Sequence, residues 1–267
     1  CEGMSGLVDE VKEVMEKHEM DAFVAIGGEG TLTVARMLHD EGVPVVGVPK
    51  TIDNDLSATD VTFGFETAVA IATESIDRLR TTAESHHRCM VVEVMGRHAG
   101  WIALNAGIAS GAHAILIPEV PVPLEQVTTW VQATVHRGRA PVVVVAEGFQ
   151  LAGTSELSAK HGVDHMGRPR LGGIAEQLTP LIEEHTGIET RSMTLGHLQR
   201  GGVPTSYDRV LATRFGTAAI DAVHRKEWGT MVALRGTDIV SVKLADATSE
   251  LKTVPRHRWD EAAILFG

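Results

Sequence analysis

Two aspartates separated by one asparagine follow an apolar run near the start of the chain. Asp53 and Asp55 lie in the stretch VPKTIDNDL, directly after apolar residues 43–48. An isolated acidic cluster of this kind is more typical of a turn than of a site. One carboxylate of such a pair can nevertheless take a proton from a hydroxyl, while the other positions that hydroxyl or a metal ion. The residues alone leave open which aspartate would be the base.

A glycine-rich stretch, GGEGT at residues 27–31, ends an earlier apolar run. Small residues let the backbone approach a ligand closely, and the free N–H groups at the start of the next helix attract an anion. Glu29 would repel phosphate, so we interpret it as a direct or water-mediated partner of a Mg²⁺ ion that the phosphates also bind. The alternative is a tight strand-to-helix turn that carries a surface acid.

Basic side chains occur at or near the ends of the predicted strands. Arginine forks match phosphate oxygens, and Arg97 and Arg200 stand beside glycines that leave room for a ligand. The alternatives are local ion pairs for the arginines and a buried core position for His197, whereas His161 and His165 are expected in a solvated loop. With the acidic pair, these residues suit phosphoryl transfer. The basic residues are Arg88, Arg97, Arg191, His197 and Arg200.

Apolar runs alternate with helical patterns, which predicts an α/β fold with mostly parallel strands in two sheets rather than one. Every polar cluster of interest follows a predicted strand, where open α/β sheets bind ligands. Residues 152–169 are predicted to form a long loop. The predicted strands are 22–26, 43–48, 90–94, 114–117, 141–146 and 191–195, and the predicted helices are 31–40, 100–109, 124–136, 171–184 and 207–224.

Composition narrows the class of protein. The 267 residues are 43% hydrophobic and 22% charged, with a net charge of −11 that argues against bulk attraction to nucleic acid or an anionic membrane. Two cysteines fit a reducing compartment, and neither a membrane-spanning run nor a signal peptide is evident, so a cytoplasmic location is expected. Helical spacing already begins at Met4, which predicts that an N-terminal segment is missing.

Taken together, the motifs resemble those of the 6-phosphofructokinase family from about Asp21 to Gly267. GGEGT resembles its nucleotide loop, PKTIDND its catalytic motif, VEVMGRHAGW its sugar-binding strand end, and AEGF and LGHLQRGG its sugar-phosphate segments. The resemblance implies two three-layer parallel-sheet α/β domains with the active site in the cleft between them. It implies a nucleotide-binding domain of residues 1–64 plus 199–249, incomplete at its N-terminal end, and a fructose 6-phosphate-binding domain of residues 65–198 plus 250–267.

The resemblance also implies roles for individual residues. Asp53 matches the catalytic base, and Thr51 and Arg97 are the other expected catalytic residues. Arg88 and Arg191 match residues that reach the sugar phosphate across a subunit interface. Glu29 and Asp55 are expected near the metal. The implied nucleotide-binding residues are Gly28, Glu29, Gly30 and Thr31, and the implied substrate-binding residues are Thr51, Asp53, Asp55, Arg88, Met95, Gly96, Arg97, Glu147, Arg191, His197 and Arg200.

The residues that mark the phosphate donor depart from the family pattern. Aspartate at position 30 with lysine at position 50 marks pyrophosphate use in this family, whereas glycine at both marks ATP use. This chain has Gly30 and Lys50. Glycine leaves room for the α-phosphate of ATP, so ATP is the expected donor and pyrophosphate the alternative. Glu29 also replaces the more usual aspartate, and the family's opening glycine-rich loop is absent.

The expected reaction is therefore Mg²⁺-dependent phosphorylation of fructose 6-phosphate at its 1-hydroxyl by ATP. The expected partners are these two substrates, without nucleic acid or membrane. A homo-oligomer, a dimer of dimers with shared active sites, is also implied. The alternative from another class is a non-catalytic sugar-phosphate-binding subunit or an inactive fragment, since the opening loop is absent.

Overall fold

The computed structural model describes residues 2–152 and 173–267, with side chains from residue 8 onward. Most of the predicted loop 152–169, the start of the predicted helix 171–184, and both His161 and His165 lie outside the described residues. The chain divides into two compact units. Unit 1 comprises Cys1–Phe65 and Pro204–Lys252, and unit 2 comprises Glu66–Val203 and Thr253–Gly267. The assignment of nucleotide to one domain and sugar phosphate to the other stays a prediction.

Helices and strands alternate along most of the described chain. In order they are α1 Glu2–Lys17, β1 Phe23–Gly27, α2 Glu29–Asp40, β2 Val45–Thr51, β3 Phe63–Gly64, α3 Phe65–His86, β4 Cys89–Val94, α4 Trp101–Ala109, β5 Ala114–Leu116, α5 Leu124–His136, β6 Val142–Ala146, α6 Ile174–Thr186, β7 Thr190–Thr194, a 3₁₀ turn Gly196–Arg200, α7 Ser206–His224, β8 Thr230–Arg235, β9 Asp238–Lys243, α8 Leu244–Ala247 and α9 Arg256–Ala263. Each predicted strand and helix is present, with ends shifted by a few residues.

Unit 1 is built on a five-stranded sheet in the order β1-β2-β8-β9, with β3 beside the end of β2. All pairs are parallel except β8 with β9. Neighbouring side chains of β2 point to opposite faces, as a pleated strand requires. Val45 packs in the cluster that contains Leu32 of α2, and Val46 in the cluster that contains Phe215 of α7. Helices therefore cover both faces, and this confirms the predicted α/β architecture for unit 1.

Unit 2 contains a four-stranded parallel sheet in the order β5-β6-β4-β7. Every residue of β4 and β6 is buried, which explains why β6 is an unbroken apolar run and why β4 is apolar except for Glu93. The C-terminal helix α9 belongs to this unit. The indole N–H of Trp259 donates to the Ile115 carbonyl at 2.9 Å, and its ring contacts those of Trp130 and Phe266.

In the described parts of the chain, no helix has both the length and the apolar character needed to cross a membrane.

Candidate active site

The turn from β1 into α2 is compact because its first two residues lack side chains. A Cβ on Gly27 would lie 2.4 Å from the Thr31 Cβ, and one on Gly28 would lie 3.3 Å from the Thr51 Cβ. Gly28 is the N-cap of α2 and has no side chain, so it caps none of the first N–H groups of this 12-residue helix. The turn therefore places a helix N-terminus, which attracts anions, directly beside the end of β2.

The loop that carries the two aspartates follows β2 and is held by its own side chains. The Thr51 hydroxyl accepts the Asp53 N–H at 3.1 Å and makes a long 3.5 Å hydrogen bond to the Asp53 carboxylate. Asn54 between the aspartates is buried and left-handed, with a φ of 51°. Its Oδ1 accepts the Thr62 N–H at 3.1 Å. Asparagine tolerates this conformation better than most residues, which explains its place between Asp53 and Asp55.

Lys252 also anchors this loop and was missed by the sequence analysis. Its ammonium donates to the Asn54 Oδ1 and to the carbonyls of Thr59 and Asp60, each at 2.9 Å. Its main-chain N–H donates to the Asp55 carbonyl at 2.8 Å. Burial lowers the pKa of Lys252 to about 8, although Asp60 and Asp55 oppose the shift. No local pattern marks this lysine, because its partner Asn54 lies 198 residues away.

Asp55 has the electrostatic setting of a cation ligand. Burial, followed by the negative charge of Asp53, raises its pKa to about 6, and Glu29 contributes in the same direction. The Asp55 Oδ1 is buried and has no hydrogen-bond partner among the described residues. Those residues contain no group of three or more His, Cys, Asp or Glu able to hold a metal by themselves. Mg²⁺ commonly takes one or two carboxylates together with substrate phosphates, so Asp55 and Glu29 fit that ion.

The two residues expected to select the donor both precede this loop in the chain, one in α2 and the other in β2. Gly30 is the second residue of α2, and a Cβ built on it meets no atom within 4 Å. Lys50 is exposed near the end of β2, where it pairs with Phe63 of β3. Glu29 is the first residue of α2, and its carboxylate accepts the Thr33 hydroxyl at 3.0 Å. The chain itself therefore leaves space open at position 30.

In unit 2, the ends of β4 and β6 are tied together by main-chain contacts. The Glu147 N–H donates to the Val94 carbonyl at 2.9 Å, and the Gly148 N–H donates to the Gly96 carbonyl at 3.1 Å. A Cβ on Gly148 would come within 2.0 Å of the Arg97 carbonyl oxygen, so only glycine fits there. The predicted substrate residues after these two strands, Met95, Gly96, Arg97 and Glu147, are thus held side by side.

The carboxyl end of β7 lies beside those of β4 and β6 and adds a third segment there. The Leu195 N–H donates to the Glu93 carbonyl at 3.0 Å, and the 3₁₀ turn begins at the next residue. In that turn His197 and Arg200 are exposed, not buried, so the alternative of a core histidine does not apply. The buried Glu93 side chain accepts the N–H groups of Gly173 and Ala175 at the start of α6, and burial raises its pKa.

Arg88 and Arg191 lie at the opposite, amino-terminal ends of these strands. Arg88 precedes β4 and Arg191 is the second residue of β7, whereas Arg97 and Arg200 follow the carboxyl ends of these strands. A six-residue strand such as β4 spans about 17 Å. The Arg88 Nε bonds Glu189 at 2.8 Å, and Arg191 pairs with the same carboxylate. Within one chain, the structure therefore does not bring these two arginines together with Arg97 and Arg200.

The fold is that of a two-unit α/β protein with parallel sheets whose polar residues gather at the carboxyl ends of strands. The family model for phosphofructokinase matches residues 2–223. The chain belongs to the phosphofructokinase family, which confirms the family predicted from its motifs.

Relatives in this family carry names for both donors. The chain is 60% identical over 262 residues to a pyrophosphate–fructose 6-phosphate 1-phosphotransferase of Amycolatopsis methanolica, covering 98% of this chain and 77% of that protein. It is 56% identical over 255 residues to ATP-dependent 6-phosphofructokinase 2 of Streptomyces coelicolor, covering 95% and 75%. A solved pyrophosphate-dependent phosphofructokinase from Marinobacter aquaeolei has a TM-score of 0.80 at 25% identity, covering 97% of this chain and 71% of that one. These similarities do not choose between the donors.

Proposed function

We propose that the protein transfers the γ-phosphoryl group of ATP to the 1-hydroxyl of D-fructose 6-phosphate, giving fructose 1,6-bisphosphate and ADP. The observation that carries this proposal is the acidic loop of unit 1. Asp53 is held by Thr51 at the carboxyl end of β2, beside the N-terminus of α2. Phosphoryl transfer needs a base for the hydroxyl close to a region that binds the phosphates of the donor, and this arrangement provides both.

In this mechanism Asp53 takes the proton of the 1-hydroxyl. The hydroxyl oxygen forms its bond to the γ-phosphorus as the bond from that phosphorus to the ADP oxygen breaks. Thr51 keeps the Asp53 carboxylate oriented through its hydroxyl. Main-chain N–H groups of residues 28–31, at the start of α2, contact the donor phosphates. Arg97 contributes positive charge that stabilises the transition state.

Glu29 and Asp55 are the residues that would hold Mg²⁺, directly or through water. The supporting observations are the buried Asp55 oxygen without a partner in the described residues and the raised pKa of that carboxyl. When bound, Mg²⁺ supplies positive charge to the polyphosphate. Lys252 holds the backbone of Asp55 and the side chain of Asn54, which keeps both aspartates on the same loop surface.

The residues that follow the carboxyl ends of β4, β6 and β7 bind the sugar phosphate in this proposal: Met95, Gly96, Arg97, Glu147, His197 and Arg200. Arg88 and Arg191 complete the site of a neighbouring copy of the chain. Their position at the amino-terminal ends of the strands supports this role, because they are too far from Arg97 to share its ligand within one chain. A shared site requires a homo-oligomer, most simply one with a two-fold axis, and a dimer of dimers satisfies this.

Pyrophosphate is the second candidate donor, favoured by Lys50 and by the name of the relative that is 60% identical. ATP is preferred because Gly30 leaves open space at the second residue of α2. An aspartate there would occupy that space and repel the α-phosphate. Rates measured with ATP and with pyrophosphate under the same conditions decide between the two donors.

The experiment that tests the catalytic assignment is Asp53→Ser. We expect this change to lower kcat by about 10²–10⁴-fold, the usual contribution of a positioned base. Binding of fructose 6-phosphate, measured by calorimetry, should persist. Asp40→Ser is the matched control, because Asp40 is exposed at the other end of α2. A loss of tenfold or less in Asp53→Ser would show that Asp53 is not the base.

A further inference from the structure

A buried glutamine lies inside the turn that presents two of the proposed sugar-phosphate residues. Gln199 belongs to the 3₁₀ turn Gly196–Arg200 and is 1% exposed, whereas His197 and Arg200 on either side of it are exposed. A buried amide is unfavourable unless its polar atoms find hydrogen-bond partners. The partners of Gln199 therefore show what this residue holds in place.

Both polar atoms of the Gln199 side chain bond to main chain. Its Oε1 accepts the N–H of Met95, the first residue after β4, at 3.2 Å. Its Nε2 donates to the carbonyl of Gly196, the first residue of the 3₁₀ turn, at 3.0 Å. One side chain thus links the end of β4 to the turn that follows β7.

The link lies beside two glycines with positive φ. Gly96, next to Met95, has a φ of +139°, and Gly196 has a φ of +49°, conformations that glycine adopts readily and other residues rarely do. The hydrogen bond from the Leu195 N–H to the Glu93 carbonyl ends the pairing between the two strands. Beyond that point, Gln199 fixes the separation of the segment with Met95 from the turn with Arg200.

We propose that Gln199 is a positioning residue that sets the affinity for the sugar phosphate. It touches neither substrate; it holds Met95–Arg97 and His197–Arg200 at the separation that one sugar phosphate requires. This inference rests on the proposed function, which assigns those residues to fructose 6-phosphate. The role differs from simple packing, because its loss changes the geometry of one substrate site and leaves the donor site intact.

The test replaces Gln199 with methionine, which has a similar size and removes both hydrogen bonds. We expect the KM for fructose 6-phosphate to rise about 10- to 100-fold, because a misplacement of about 1 Å can cost an enzyme about 100-fold. The KM for the phosphate donor should change less than twofold. Calorimetric titration of fructose 6-phosphate should show the same weakening in the absence of turnover. Gln199→Asn is a milder second variant, since its amide is one methylene too short to reach both partners.

Gln177→Met is the matched control. Gln177 lies in α6 of the same unit, and its Oε1 is buried without a hydrogen-bond partner among the described residues. The same chemical change there should leave the KM for the sugar phosphate unaltered.

Three outcomes would overturn the inference. Gln199 variants that only lose stability, with the sugar KM unchanged, would make Gln199 a packing residue. Equal increases in both KM values would indicate a general distortion. A wild-type protein that neither binds nor phosphorylates fructose 6-phosphate would refute the proposed function, and this inference with it; the wild-type titration separates that outcome from the first two.

Discussion

Gly30→Asp should move stability and ATP use in opposite directions. Gly30 is the second residue of α2, and its Cβ position is open, so the aspartate side chain enters without a clash. Replacing a glycine whose backbone suits other residues stabilises a protein by about 0.4–1 kcal/mol. A carboxylate in the first turn of a helix adds about 0.3–1 kcal/mol through the helix dipole. The neighbouring Glu29 charge offsets part of this gain, so we expect a net stabilisation of about 0.5–1 kcal/mol.

The effect on ATP use has the other sign. A carboxylate about 4 Å from a phosphate charge is repelled by about 4 kcal/mol at an effective dielectric constant of 20. Gly30 is exposed, so water and salt screen part of this repulsion. We expect kcat/KM for ATP to fall by about 100-fold, which corresponds to about 2.7 kcal/mol. Pyrophosphate has no α-phosphate to repel, so its kcat/KM should hold or rise.

Chemical denaturation gives the stability change, and coupled assays with each donor give the two kcat/KM values. Gly216→Asp is the matched control, because Gly216 is also helical, in α7, with no atom within 4 Å of its Cβ position. It should leave both donor activities unchanged. Undiminished ATP use by Gly30→Asp would refute the assignment of the space at position 30 to the α-phosphate. A loss of stability would instead contradict the open Cβ position.

Two further predictions concern pH and assembly. His113 accepts the Val142 N–H at 3.1 Å through Nδ1, and burial lowers its pKa to about 4 from an ordinary 6.5. The folded state therefore binds fewer protons than the unfolded state between these values, so stability is full above pH 6.5 and is lost as the pH falls towards 4. Because the ring is only partly buried, we expect the free energy of unfolding to fall by about 1–2 kcal/mol over this pH range. Urea denaturation between pH 7 and 4.5 measures this fall, and the His113→Gln variant should lack it. If the variant keeps the same pH dependence, His113 is not its cause. Mixed oligomers of Arg191→Ala and Asp53→Ser chains should regain activity, because one shared site then carries both substitutions and another carries neither. If mixed oligomers form but remain inactive, Arg191 acts in the site of its own chain.

The sequence predicts all four strands of the unit 2 sheet. Strand β6 is apolar throughout and β4 is apolar except for Glu93, so both runs are easily recognised. Strand β8 was missed although its residues Met231–Leu234 form a buried apolar run. The other missed elements lack such a signal. Helix α3 buries the small residues Ala68, Ala72 and Ala83 between larger ones such as Val69 and Ile76, so its apolar stripe is weak in the sequence. Strand β9 is largely exposed, and β3 has only two residues.

The residues of the candidate site likewise divide into those that the sequence pattern identifies and those that it does not. Glycines and charged residues that directly follow strands were identified from their place in the chain, as with Gly28 and Arg97. The residues that support them were not, because their role depends on a partner far away in sequence. Gln199 bonds Met95 from 104 residues away, and Lys252 bonds Asn54 from 198 residues away. Spacing within one segment carries no information about such pairs.

The interrupted course of unit 1 along the chain has a consequence for its biosynthesis. Strand β2 pairs with β8, and the Leu234 N–H donates to the Thr59 hydroxyl from 175 residues further along the chain. At a synthesis rate of about 5–20 residues per second, the ribosome needs about 9–35 s to supply that partner. During this delay the apolar edge of β2 has no strand beside it on the β8 side. Most of unit 2, in contrast, is one continuous stretch from Glu66 to Val203. The strand that bears the proposed catalytic loop is therefore made well before the strand that completes its sheet on the β8 side.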